Sequence, residues 1–220
     1  MMPAYRSEAE AEVRGAVVQR LRELRPDSRI IHEINCEFYG NRIDVLAVGA
    51  EEIIAVEVKS AKDKLDRLPD QIKAMKRVAH HTIAALHEKF LEERETNNWA
   101  AHYERDGTFW LRDVPDVARG CEVWVYPETK RGNTGPGLWQ APKSRFNATL
   151  PEAALHMLWR DELAVLCDEL RLATTRRSVM TEMVHALRWH CTGEELTRGI
   201  CRQLRRRTCV EADPALESSA

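Results

Sequence analysis

The chain has 220 residues, 44% of them hydrophobic and 31% charged, with a formal net charge of -2. That balance suits one large globular domain, or a domain with an appendage, and excludes collagen-like, low-complexity and multispan membrane chains. The longest apolar runs are too short to cross a bilayer and the N-terminus lacks the apolar core of a signal peptide, so no membrane partner and a cytoplasmic location are expected.

Cys36, Cys121, Cys167, Cys191, Cys201 and Cys209 are scattered without a CxxC pair, which favours free thiols in a reducing compartment. Charge is unevenly spread: between Arg171 and Val210 there are nine arginines against three acidic residues.

Met1 to Arg6 reads as loose. From Ser7 the pattern turns helical, with Val13, Val17, Leu21 and Leu24 recurring at spacings of four, four and three. Ser7 suits the N-cap, Glu8, Glu10 and Glu12 oppose the helix dipole, and Pro26-Asp27-Ser28 ends the run. Glu10 shares the buried face with Val13 and Val17. Arg29 to Asn35 is the first strand, with Ile30, His32 and Ile34 on one face and Ile31 and Glu33 on the other. His32 is read as structural. Phe38 to Asn41 is a turn.

Arg42-Ile43-Asp44-Val45-Leu46 and Ile53 to Lys59 are two β-branched runs around a turn at Gly49 to Glu52, the signature of a hairpin. In the second run Ile54, Val56 and Val58 face one way, and Ala55, Glu57 and Lys59 the other. A carboxylate and an ammonium on a strand that apolar need partners. Asp44 on the neighbouring strand lies within reach. Two carboxylates and a lysine at one sheet edge can hold Mg²⁺ or Mn²⁺ beside a phosphate.

A polar loop, Ala61 to Asp66, leads to a helix whose stripe is Leu65, Leu68, Ile72, Met75 and Ala79. Pro69 fits its first turn, and Gln71 at the stripe's edge aims at the Asp44 and Glu57 cluster. Lys62, Lys64, Arg67, Lys73, Lys76 and Arg77 crowd the same region and could bind backbone phosphates. Thr82 to Leu86 is a fourth strand. His87 to Thr96 reads as helix-forming, Thr108 to Leu111 and Cys121 to Tyr126 as strands that extend the sheet, and Pro127 to Thr149 as a linker or mobile loop.

Pro151 opens a helix through Leu155, Leu158, Trp159, Leu163, Leu166 and Leu170, with further helices at Arg177 to His190 and Glu194 to Arg207. Arg202, Arg205, Arg206 and Arg207 at the end of these helices suit a DNA-binding appendage somewhat like a helix-turn-helix. A helical cap on the core or a dimer interface fits equally well. Arg160, Asp161 and Glu162 read as structural, and Glu211 to Ala220 as a polar tail.

Asp44 followed by Glu57-Val58-Lys59 resembles the D…ExK signature of the PD-(D/E)xK nuclease superfamily, with Ile43 where that name has proline. Lys59-Ser60, Asp63-x-Leu65-x-Arg67-Leu68-Pro69 and Gln71 resemble the continuation in a phage and bacterial subgroup. That subgroup often carries a late Leu-Trp-Arg-Asp-Glu-Leu run, here Leu158 to Leu163. The core resemblance covers roughly residues 7 to 86.

It implies a restriction-endonuclease-like α/β core, α-β-β-β-α-β, with a mixed sheet flanked by helices and a C-terminal helical appendage. The expected boundaries are 7–126 for the nuclease-like domain, 127–149 for the linker and 150–210 for the helical region. The implied activity is metal-dependent hydrolysis of DNA, RNA not excluded, in repair, recombination or restriction, and members often pair as homodimers. Asp44, Glu57, Lys59 and Gln71 would be catalytic. Asp44, Glu57, the Val58 carbonyl and a first-helix glutamate, Glu10 or failing it Glu8, would hold Mg²⁺ or Mn²⁺. The family often has tyrosine four residues after the glutamine, where this chain has Met75. Two rivals remain: a nuclease-like fold used only to bind nucleic acid or as a scaffold, and a Glu57–Lys59 ion pair without chemistry.

Overall fold

A computed structural model of the chain describes residues 7–36, 41–127, 139–140, 142, 148–173 and 177–216. The expected loose start at residues 1–6 and most of the turn at residues 38–41 lie outside these. Helix α1 spans Glu8–Leu24, capped by the Ser7 hydroxyl, which accepts from the Glu10 N–H. Strands β1 (Arg29–Asn35), β2 (Arg42–Val48) and β3 (Ile53–Lys59) follow, then α2 (Leu68–Lys76) and β4 (His81–His87). Pro69 sits in the first turn of α2, where its missing N–H costs nothing.

The chain is a mixed α/β protein whose main sheet has five strands flanked by helices. Its order is β1-β2-β3-β4-β8, with β8 at Glu122–Tyr126. β1, β2 and β3 are antiparallel neighbours; β3 to β4 and β4 to β8 are parallel. Val13, Val17 and Leu21 of α1 pack with Val45, Val56 and Val58 on one face, and Leu68, Ile72 and Met75 of α2 join Leu46, Ala55 and Leu86 on the other. A strand buried on both faces is read as nearly continuous hydrophobicity, as β3 is.

Between β4 and β8 the expected helix over His87 to Thr96 is replaced. A single 3-10 turn, Glu88–Phe90, leads into strand β5 (Glu92–Thr96). β5 pairs with β7 (Thr108–Asp113), which also pairs with β6 (Tyr103–Arg105), in a separate three-stranded sheet. Cross-strand partners override local helix preference here: Arg94 is paired with Asp113 and Asp116, and Arg105 with Glu93. So β8 extends the main sheet and β7 does not.

Most of the expected linker, 128–138, 141 and 143–147, lies outside the described residues. Trp139 within it is core: it is 2% exposed, stacks on Trp124 at 5.1 Å, and its indole N–H donates to the Val125 carbonyl at 2.9 Å.

The helix expected from Pro151 is two elements, a 3-10 turn (Glu152–Met157) and α3 (Arg160–Glu169). The break comes at Trp159, in extended backbone, whose N–H donates to Glu162 at 2.7 Å and starts α3 afresh. Helices α4 (Met180–His190) and α5 (Gly193–Arg206) follow. Leu163, Leu166, Leu187, Ile200 and Leu204 from these helices share the core cluster of Leu46 and Leu86. They cap the α2 face of the sheet rather than standing off as an appendage. Nor is Glu211 the start of a free tail. Residues 211–213 lie along β1, where the His32 N–H donates to the Glu211 carbonyl and the Asp213 N–H to the Ile30 carbonyl.

Candidate functional site

The antiparallel register pairs Val45 with Val56, so Asp44 and Glu57 are the next residues on either side of that ladder. There the pairing stops and the Asp44 side chain takes over, accepting the Val58 N–H at 2.8 Å. Glu57 and Lys59 face α2. The Lys59 ammonium lies 2.8 Å from Glu57 Oε1 and donates to Gln71 Oε1 at 2.8 Å. The Gln71 amide in turn donates to the same Glu57 oxygen. Glu57, Lys59 and Gln71 thus form one hydrogen-bonded cluster, with Glu57 2% exposed and Lys59 and Gln71 each 8%, and Asp44 joins it through the Val58 N–H between Glu57 and Lys59 and through its charge.

The second Glu57 oxygen is buried with no hydrogen-bond partner among the described residues. Burial, and after it the Asp44 charge, pushes the Glu57 carboxyl up to about 8, against the opposing pull of Lys59 and Gln71. Burial also raises Asp44, while the Val58 N–H and the Arg14 guanidinium act in the other direction.

Two members of the site escaped the sequence reading. Arg14 is fully buried, and one of its nitrogens meets three carboxylates: Glu10, Glu33 at 2.6 Å and Asp44 at 3.3 Å. A signal for it existed. Arg14 lies four residues after Glu10, the spacing of helical ion pairs, and beside Val13 on the apolar face. Glu33 gave none. Its φ is 55°, in the left-handed region that side chains other than glycine seldom adopt. That twist breaks the strand's alternation. Ile31 and Ile34 both join the α2-side core, and Glu33, expected on that face, turns to Arg14 of α1. Arg42 pairs with Glu33 from the next strand at 2.9 Å.

Glu10 therefore reaches the cluster as a partner of Arg14. Glu8 is in the same first turn of α1. Lys62, Lys64, Arg67 and Lys73 are exposed on the loop and helix that follow Lys59, and none has an ion pair among the described residues. The C-terminal arginines are differently placed. Arg202 and Arg206 both pair with Glu169, and Arg205 reaches the Asp27 carbonyl at 3.4 Å. Arg207 is clamped by Glu162 and the Met157 carbonyl, which bears out a structural role for Glu162.

Among the described residues, no group of three or more His, Cys, Asp or Glu side chains is gathered for a metal ion. Mg²⁺, however, is often held by one or two carboxylates, with waters and substrate phosphate completing its shell. Asp44 and Glu57 are such a hard-oxygen pair, and the unpartnered Glu57 oxygen is the acceptor a cation would satisfy. The residues present fit Mg²⁺ or Mn²⁺.

The model of the family Bacteriophage P4 protein cII matches residues 4–96, less than half of the 220 residues. That span holds Glu10, Arg14, Glu33, Asp44, Glu57, Lys59 and Gln71. Neither a curated protein nor a solved structure matches the chain. No helix among the described residues is long and apolar enough to cross a membrane.

Proposed function

We propose that the chain is a metal-dependent nuclease of the PD-(D/E)xK type that hydrolyses phosphodiester bonds of DNA. The observation behind this reading is the convergence of Asp44, Glu57, Lys59 and Gln71 in one buried cluster, with one Glu57 oxygen unpartnered. The order α-β-β-β-α-β from α1 to β4 is the one the resemblance implies, and it supports the same reading.

Asp44 and Glu57 would hold Mg²⁺ or Mn²⁺, with the Val58 carbonyl beside them. Such a bound ion supplies a water of lowered pKa and a positive charge next to a phosphate oxygen. Lys59 stands at the Glu57 carboxylate and would orient the attacking water and offset charge that builds on the phosphate oxygens. Gln71 holds Lys59 from the other side and so fixes its direction. The exposed cations Lys62, Lys64, Arg67 and Lys73 would contact the backbone on either side of the scissile bond.

A second reading has one observation behind it. The Arg14 guanidinium already compensates Asp44, as a metal otherwise would, and a module that only binds nucleic acid or serves as a scaffold needs no more. Calorimetric titration separates the two. A nuclease binds Mn²⁺ and Mg²⁺, and Asp44→Asn abolishes the binding. A binding module gives no such heat in either protein.

A further inference from the structure

Arg14 stands where acidic side chains of α1 and β1 meet that of Asp44. It is fully buried, and one of its nitrogens contacts Glu10, Glu33 at 2.6 Å and Asp44 Oδ1 at 3.3 Å. Three acids from α1, β1 and β2 turned towards one buried point call for positive charge. A metal ion could supply it. Here a guanidinium does, and that group is always charged.

Asp44 links this point to the candidate metal pair. Helix α1, with Arg14, and helix α2, with Gln71, lie against opposite faces of the sheet. At the end of the β2–β3 ladder, Asp44 Oδ1 meets Arg14, Oδ2 accepts the Val58 N–H, and the Asp44 charge acts on Glu57. Two-metal phosphoryl-transfer sites hold their ions about 3.5–4 Å apart. A second ion beside one held by Asp44 and Glu57 would have to share Asp44. Its remaining side-chain ligands would have to be Glu10 and Glu33, which Arg14 already engages.

Charge points the same way. Among the described residues, the ion pairs of this network join four carboxylates, Glu10, Glu33, Asp44 and Glu57, to three cations, Arg14, Arg42 and Lys59. With every carboxylate ionised, that leaves one negative charge. One divalent ion turns it into one positive charge, the match of a single phosphodiester. A second ion would leave three.

We propose that Arg14 takes the place of a second divalent cation, so that the site holds a single metal ion, at Asp44 and Glu57. Arg14 is then a positioning residue. It fixes Asp44 Oδ1 while the Val58 N–H fixes Oδ2, and Glu10 serves Arg14 rather than the metal. The inference rests on the reading of the chain as a metal-dependent nuclease, and it adds the number of ions used.

The test counts Mn²⁺ bound to the full chain at saturation, without nucleic acid, from the electron paramagnetic resonance signal of the free ion. The wild type should hold one ion per chain, and so should Glu10→Gln. Arg14→Gln, which removes the charge, should hold two, close enough to couple magnetically, whereas Arg14→Lys should stay at one. Adding Asp44→Asn to Arg14→Gln should abolish the coupled pair. Circular dichroism establishes which variants are folded, and the wild-type and Glu10→Gln counts stand without the Arg14 variants.

Two ions on the wild type, an ion lost in Glu10→Gln, or a folded Arg14→Gln protein that stays at one overturns the proposal and leaves the nuclease reading standing. A wild type that binds no Mn²⁺ removes the nuclease reading, and the single-ion site with it.

Discussion

Arg14 donates to Asp44 at 3.3 Å from a nitrogen that also meets Glu10 and Glu33, so three carboxylates share a single buried guanidinium. Removing it takes the buried cation from these carboxylates, although Arg42 still meets Glu33 and the Val58 N–H still meets Asp44, and breaking such a buried pair typically costs about 3–5 kcal/mol. Arg14→Gln should therefore lower the melting temperature by roughly 10 °C. Mg²⁺ should restore part of that loss, and should not when Asp44→Asn is added. A melting temperature for Arg14→Gln within a degree of the wild type would show that the cluster does not depend on this cation.

Glu57 makes the metal-free protein sensitive to pH in a direction that can be worked out. Its folded carboxyl is raised to about 8, chiefly by burial, so between the ordinary glutamate range and that value the folded state holds a proton that the unfolded state has released. Stability is then greatest below the ordinary range and falls as pH rises towards 8, by at most about 1.4 kcal/mol per pH unit. Chemical denaturation in EDTA at several pH values should show this fall in the wild type. Glu57→Gln, neutral throughout, should flatten it, and a parallel slope in both proteins would assign the effect elsewhere.

The exposed cations divide into two classes by their partners. Lys62, Lys64, Arg67 and Lys73 have no ion pair among the described residues, whereas Arg202 and Arg206 are matched by Glu169. Replacing Lys62, Lys64 and Arg67 together with Gln should weaken nucleic-acid binding. It should also make the salt dependence shallower, by about 0.7–0.9 in the log–log slope for each phosphate that is no longer neutralised. Arg202→Gln with Arg206→Gln should leave both nearly unchanged. The opposite pattern would move the binding surface to α5.

What could be read from the sequence, and what could not, follows from how local each signal is. The alternation in β3 and the stripe of α2 are set by burial on a regular period, so the sequence alone puts Glu57, Lys59 and Gln71 on converging faces. The Ser7 cap is equally local. Glu33 was put on the wrong face because a left-handed residue breaks the strand period, and no pattern of side chains announces it. Residues 92–96 are charged and helix-compatible in isolation, and only their distant partners on β7 make them a strand. Trp139 lies among glycines, prolines and charges that resemble a linker, yet its burial depends on Trp124 from another element. The leucines after Pro151 keep helical spacing through Trp159, and the break there depends on the Glu162 carboxylate rather than on periodicity.

Strand cleavage tests the central claim most directly. Labelled single-stranded, duplex and branched DNA is incubated with Mg²⁺, Mn²⁺ or EDTA and with wild-type protein, Lys59→Ala or Asp44→Ala. The account predicts cutting by the wild type with metal, none in EDTA and none by either variant, while Lys59→Ala keeps its fold. An Asp44→Ala protein that cuts at the wild-type rate, or cutting that persists in EDTA, would contradict it.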